Sequence, residues 1–541
     1  PRPGPAGSGL AGLARGRGGA TAETSTRPDG LPLHEPFHLR NVQGPVSLLS
    51  THVIESVDIH LGGFTASAGD RMSGLIDVTT VRPAADRHHE IGLSLFHASG
   101  LAARRFDEGR GQGLPSARRS NPGQPPRPAE YDTARPRYFD AFGRVDHAWS
   151  GSTRATLQFL RSEDRIDVAD ATRGQASSAG YENTYLWATL GHDWSPRLRG
   201  RLSASWTELH SARSGTVAQP GQRSGSVEDR RRYSIFGLKA DATYESGRWL
   251  HRFGADLRDA SARYAYRSER TFEAALAHPG QAAGTLTRAL SARPAGSHVA
   301  LYATSRVQLG ARLTVEAGLR WDDQSYNTAT DPDHQFGPRL NLVYEWDDAT
   351  RLRLALGRYQ QFQDIHELEV EDGVDAFQRP QRADQAIVAL ERDLSPFLSL
   401  RVEAYQKRYA RLRPRFENQF DPLDWLPEIA PDRIAIAPTS ARAEGLEALL
   451  TLRNAGPWSG WLGYARSRAT DRVDGSDVPR SWDQPHAVTA GVNWADHRWN
   501  LTLAALWRSG WPTTALSLAA DGTVVAGLRN GARLPSYATL D

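Results

Sequence analysis

No cysteine occurs anywhere in the 541 residues. Disulfides, thiolate metal sites and cysteine nucleophiles are therefore excluded, although the compartment is not fixed by that alone. There is no apolar run of about 18 residues, which removes transmembrane helices but leaves strands that face lipid on one side only. No sign of charge dominates: 65 Lys and Arg stand against 62 Asp and Glu, a net of +3, with acids and bases interleaved. That balance argues against nucleic acid as a partner. No signal peptide is visible and the chain begins at Pro1, so it reads as a fragment of a longer protein. Ser, His and Asp are plentiful, yet no nucleophile-elbow motif precedes a helix. No catalytic residue and no enzymatic activity is expected.

Aromatics are abundant, with 15 Trp and 16 Tyr, enough for girdles at a membrane interface. From about residue 88 apolar and polar residues alternate. Leu313, Val315, Ala317, Leu319 and Trp321 share one face and Thr314, Glu316, Gly318, Arg320 and Asp322 the other. The same period runs through Leu398, Leu400, Val402 and Ala404, and through Trp499, Leu501, Leu503, Ala505 and Trp507. About eighteen strands can be placed, with ends uncertain by roughly two to four residues. Tight turns such as Ser150-Gly151-Ser152 and Gly310-Ala311-Arg312 alternate with long gaps at 102–136, 212–230, 263–296, 414–438 and 510–534. A soluble sandwich has no reason for that asymmetry, whereas an outer-membrane barrel has short periplasmic turns and long extracellular loops. The parity has the first barrel strand, read as 88–101, run from periplasm to surface.

Glu55 to Thr80 has a different texture. Two strand-like runs, Val57–His60 and Leu75–Val78, flank Gly62, Gly63, Gly69 and Gly74. Spacing alone allows either an ordinary hairpin in a soluble β domain or a unit that packs its backbone closely on other backbone. The segments Ile54-Glu55-Ser56-Val57, Gly62-Gly63-Phe64, Gly69-Asp70-Arg71 and Ser73-Gly74-Leu75-Ile76-Asp77-Val78-Thr79-Thr80 resemble the last part of the plug domain of TonB-dependent outer-membrane receptors. Ala68 stands where the family often has an aromatic. Asp29-Gly30-Leu31-Pro32-Leu33 and Pro36-Phe37-His38-Leu39 resemble an earlier plug segment, Ser481 to His486 resembles a strand opening with "WDQPH", and Leu534 to Asp541 the start of a late strand.

The resemblance implies an all-β fold: a transmembrane antiparallel β-barrel, of 22 strands in the family and truncated here, with a partial N-terminal plug. Residues 1–26 are expected to be a poorly defined segment, 27–82 the C-terminal part of the plug, and 83–541 a barrel incomplete at its C-terminus. Arg17-Gly18-Gly19 resembles a plug strand, but Ser25-Thr26-Arg27-Pro28 replaces an apolar strand and Pro28 removes a ladder donor. The implied function is capture of a scarce nutrient (siderophore, corrinoid or carbohydrate) at the surface of a Gram-negative bacterium, and import across its outer membrane. The implied partners are a TonB complex, whose binding box is not in this sequence, outer-membrane lipid and lipopolysaccharide, and a small nutrient ligand. A passive porin or a non-transporting adhesin is the alternative, and a porin has no need of residues 29–80.

Four aromatics in loop-like stretches, Tyr359, Phe362, Phe416 and Trp425, are either ligand contacts in a vestibule or girdle and loop-packing residues; the second is favoured, since aromatics gather at membrane interfaces in any case. His34 and His38 have metal-capable spacing, but in loop or strand, so no metal and no cofactor is expected. For plug–barrel contact the resemblance points to Arg71, with Glu447 as its partner and Glu403 as the substitute; the alternative is two unrelated solvated charges.

Overall fold

A computed structural model describes residues 5–8, 11–40, 46–121, 135–221, 223–272, 284–326, 335–421, 424–518 and 524–540. Alternating strands close into a barrel of 22 strand segments, antiparallel throughout the pairings that follow. Two pairs of segments each act as one wall. Gly284–Ala292 and Ala295–Leu309 continue a single register along Trp249–Phe272, interrupted at Arg293-Pro294. Ser476–Pro479 and His486–Ala495 likewise share Trp458–Val473. Pro294 has no N–H to give the ladder, and the first of these walls is interrupted there.

The alternating faces fall as the sequence pattern requires. Leu319 and Leu503 are exposed on the outside, at 50% and 49%, while Glu316, Arg320 and Asp322 are buried inside. Outward Phe236, Leu238, Ala240, Ala242 and Tyr244 make an apolar run of nine positions. At about 3.3 Å per residue and a strand tilt near 40°, that is a band roughly 23 Å tall, close to the apolar band of about 25 Å on an outer-membrane barrel. Trp149, Trp194, Trp249, Trp346, Trp458 and Trp499 are exposed beside the short turns and rim one edge of the band. At the other end strands of up to 24 residues overshoot it. Their outward residues there are charged, as with Arg230 and Arg232.

The expected strand positions need correction at that end. The stretch read as one strand, 88–101, is two, Arg87–Leu93 and His97–Phe106, and Gly111–Ser120 is a third. An up-strand replaced by up, down and up ends in the same direction, so the orientation inferred from parity is unaltered. The gap 263–296 hides no extra pair among its described residues; the flanking strands simply run into it.

Inside the barrel lies a small mixed sheet. Gly74–Thr80 is its centre, parallel to Thr24–Pro28 and antiparallel to Ile54–His60. The expectation of a poorly defined segment over residues 1–26 therefore does not hold for residues 24–26, which belong to the plug strand Thr24–Pro28, and the turn Thr21–Glu23 precedes it. Pro28 stands at the strand end, and the Asp29 N–H continues the ladder by donating to the Val78 carbonyl at 2.8 Å. The missing donor therefore costs little. The plug chain enters the wall at Arg87, beside the short-turn end.

Candidate functional site

The site is the junction of plug, wall and inward-folded loops. Its geometry begins with glycine-rich turns pressed on the wall. Gly62 and Gly63 have φ of 139° and 66°, which side chains rarely adopt. A Cβ on Gly62 would lie 2.6 Å from Ile387, and one on Gly69 2.0 Å from the Arg320 guanidinium. Gly74 keeps ordinary backbone and packs on Thr24 and His60 within the plug sheet. Between Gly63 and Gly69 the turn offers its carbonyls outward, and wall arginines answer them. Arg339 donates to Phe64 O at 3.2 Å, to Ala68 O at 2.6 Å and to Thr65 O, and Arg320 donates to Ala66 O at 3.4 Å. Fixed guanidinium donors suit such a spread of acceptors.

Two motif segments meet through Asp29. Its carboxylate accepts from Thr80 Oγ1 at 2.6 Å and from the wall residues Arg144 at 2.8 Å and Gln158. The next segment places His38, wholly buried, between two wall carboxylates: Nδ1 is 2.6 Å from Asp164 and Nε2 3.1 Å from Asp140. A carboxylate at each ring nitrogen requires both to donate, which is the imidazolium form. Burial works against that charge, but Asp140 and Asp164 outweigh it and raise the His38 pKa. Arg118 shares Asp140 at 2.7 Å and also donates to Ser47 O, so plug and wall form one connected network.

The charged contact expected for Arg71 belongs to another residue. Glu403 and Glu447 sit directly opposite each other on adjacent strands. Two like charges side by side demand a cation. Arg17 supplies it, bidentate to Glu447 at 3.1 and 2.8 Å and also paired with Glu403. Burial disfavours its charge, but the two carboxylates prevail and raise its pKa. Arg71 instead folds back on Asp70, its Nη1 3.0 Å from the carboxylate. Asp70 has a φ of 56° and turns that pair away from Glu447, toward the wall residue Arg258, 3.8 Å off. Burial pushes the Asp70 carboxyl up to about 7. Sequence reasoning missed Arg17 because the segment lacks apolar alternation. The signal available was Arg17-Gly18-Gly19 itself, since a Cβ on Gly18 would lie 2.8 Å from Ala443 of the wall.

The four aromatics do not converge. Tyr359 is buried edge-on against Phe64 at 4.4 Å, beneath Arg339. Phe362 packs on His298 at 4.7 Å. Trp425 is buried with Ile166, Val168 and Ala179. Phe416 is half-buried on the short strand Arg415–Asn418, with Arg433 above it. Packing thus accounts for three of them. The loops carrying Phe362, Phe416 and Trp425 are fastened by ion pairs: Glu428 with Arg213, Asp424 with Arg223 at 2.8 Å, Glu371 with Arg231 at 2.6 Å and Glu367 with Arg413 at 2.8 Å. Loop 362–380 and the described residues 411–421 and 424–439 thereby lie folded in over the plug.

The family described as TonB dependent receptor-like, beta-barrel matches residues 97–541. No curated protein matches the chain. Among solved structures, the ferric citrate transporter FecA in its unliganded form is similar, at 15% identity over 100% of this chain and 84% of that one, with a TM-score of 0.68. The siderophore receptor PirA from Acinetobacter baumannii aligns at 11% identity over 97% of this chain and 84% of that one, TM-score 0.68. The ferripyoverdine receptor of the Pseudomonas aeruginosa outer membrane, bound to ferripyoverdine, aligns at 12% identity over 98% and 74%, TM-score 0.68. Identities this low speak for the fold alone.

Proposed function

Because the chain belongs to the TonB-dependent receptor-like β-barrel family, we propose that it sits in the outer membrane of a Gram-negative bacterium, captures a scarce nutrient at the cell surface and passes it to the periplasm when a TonB complex moves its plug. The observation that carries this reading is the filled lumen: a three-stranded sheet held inside the barrel by Arg17, Asp29, His38 and the carbonyls that Arg320 and Arg339 bind. A passive pore has no use for such a stopper. The contacts are charge-assisted hydrogen bonds, worth about 1.5–3 kcal/mol each when shielded. Bonds of that size hold a plug at rest and yield to a pull. No such logic calls for catalysis, and the family's members are transporters rather than enzymes.

The candidate nutrients are siderophores, corrinoids and carbohydrates; the named ligands of the similar structures belong to those proteins. Of the four aromatics, half-buried Phe416 is the one a ligand reaches without displacing a loop. Charged outward residues above the apolar band, Arg161, Arg165 and Arg230 among them, stand at the level of lipopolysaccharide phosphates. The test is growth of a deletion strain, with and without the restored gene, on ferric siderophores, cobalamin or glycans as limiting source. Restored growth on one source, lost again when TonB is removed, is the expected result; growth restored equally without TonB would favour a passive pore.

A further inference from the structure

Where the plug meets loop 362–380, three side chains from two distant parts of the chain turn toward one point. We propose that His34, Asp364 and His366 form a binding site for a divalent first-row transition metal ion, which clamps this loop onto the plug. Their potential ligand atoms all lie within 4.8 Å of one another. His34 Nδ1 is 3.1 Å from Asp364 Oδ2, and His366 Nδ1 is 3.7 Å from Asp364 Oδ1. Ligands on a tetrahedral ion with bonds near 2.0–2.1 Å stand about 3.3 Å apart, so the histidine–aspartate separations already match to within about 0.4 Å, and the widest separation must close by no more than about 1.5 Å.

A second observation points the same way. His34 Nδ1, Asp364 Oδ2 and His366 Nδ1 are all buried, and they face one another rather than any group outside the cluster. The three side chains are each at most 7% exposed. Buried polar atoms with no partner outside their own cluster are costly, and three of them converging is what a cation would satisfy. Surrounding contacts hold the ligands in place. The Ile365 N–H donates to Asp364 Oδ1 at 2.7 Å, leaving Oδ2 for the site. Tyr264 from the wall donates to Ile365 O at 2.6 Å and accepts from Leu368 N at 3.2 Å. On the plug side, Glu35 N donates to Tyr185 at 3.3 Å, which fixes the backbone next to His34. The nearby cation Arg258 is occupied by Asp256 at 3.0 Å.

Two imidazoles and one carboxylate suit Zn2+, Co2+, Ni2+ or Fe2+ rather than Ca2+ or Mg2+, which prefer oxygen ligands alone. Three protein ligands leave a fourth position, and His34 also borders a cavity of about 120 Å³ between plug and wall that could supply water. This goes beyond the import reading, because the site would bind its ion whether or not any nutrient is transported.

The experiment is zinc binding to the refolded full chain in detergent, by competition with a chromophoric chelator, with heat-modifiable migration confirming the fold of each variant. One equivalent is expected, weakened at least about tenfold by His34→Ala, Asp364→Asn or His366→Ala and unchanged by His88→Ala. Wild-type protein without that equivalent, or folded variants that bind as wild type does, would overturn the proposal. A second variant covers any loss of fold. The chain has no cysteine, so His366→Cys loaded with Co2+ should show a thiolate-to-cobalt charge-transfer band that wild type lacks. Its absence would also overturn the site.

Discussion

At the scale of the residue, the chain relies on arginine. Only Lys239 and Lys407 are lysines among its 65 basic residues. A planar guanidinium can bind two carboxylates or several carbonyls at once, which a single ammonium does less well. Arg17 does so between Glu403 and Glu447. In a double-mutant cycle on Arg17→Ala and Glu447→Ala, followed by antibiotic leakage or thermal unfolding, the coupling should be about 1.5–3 kcal/mol. Strictly additive effects would remove the pair from the account, and Arg71→Ala with Glu447→Ala should be additive. His38 gives a pH dependence. Its pKa is raised in the folded state from 6.5. The folded form therefore binds the proton more tightly than the unfolded chain. Its contribution is complete below pH 6.5 and is lost as pH rises through the folded value. Melting temperatures of wild type should fall on that alkaline side more steeply than those of His38→Gln; parallel profiles would mean that the ring carries no charge.

At the scale of the element, legibility depended on lipid. Where a strand crosses the apolar band, one face must be apolar, and strands such as Leu313–Gln324 and Leu398–Ala410 could be read with the correct face. Above the band both faces are polar. The outward partners there are residues such as Arg230 and Arg232, so the period vanishes although the strand continues. Gly111–Ser120, with two glycines and a proline, carries no alternation and is a strand because its neighbours pair with it. Thr24–Pro28 was hidden for a similar reason: its partner Gly74–Thr80 lies far along the chain, and no local pattern marks it. The lipid-facing register is testable midway between Trp499 and Trp507. Leu503→Arg should destabilise by about 2–4 kcal/mol in a folding titration into bilayers, and Thr502→Arg by much less. Equal losses would mean a one-residue error in register.

At the scale of the whole molecule, the motifs around Asp29, Gly62-Gly63-Phe64 and Gly74 to Thr80 sufficed to place a plug in a barrel, because each contacts the wall or its own sheet through a residue type that few others could replace. What the sequence did not reveal was which cation meets Glu447, or that loops close over the plug, since both depend on partners hundreds of positions away. The central claim is that the lumen is stoppered by reversible polar contacts. Conductance across planar bilayers holding the full chain tests it most directly. Wild type should show no steady open channel, and the combined variant Arg17→Ala, His38→Ala and Arg339→Ala should open in discrete steps. Stable porin-like channels in wild type, or a combined variant as silent as wild type, would contradict the account.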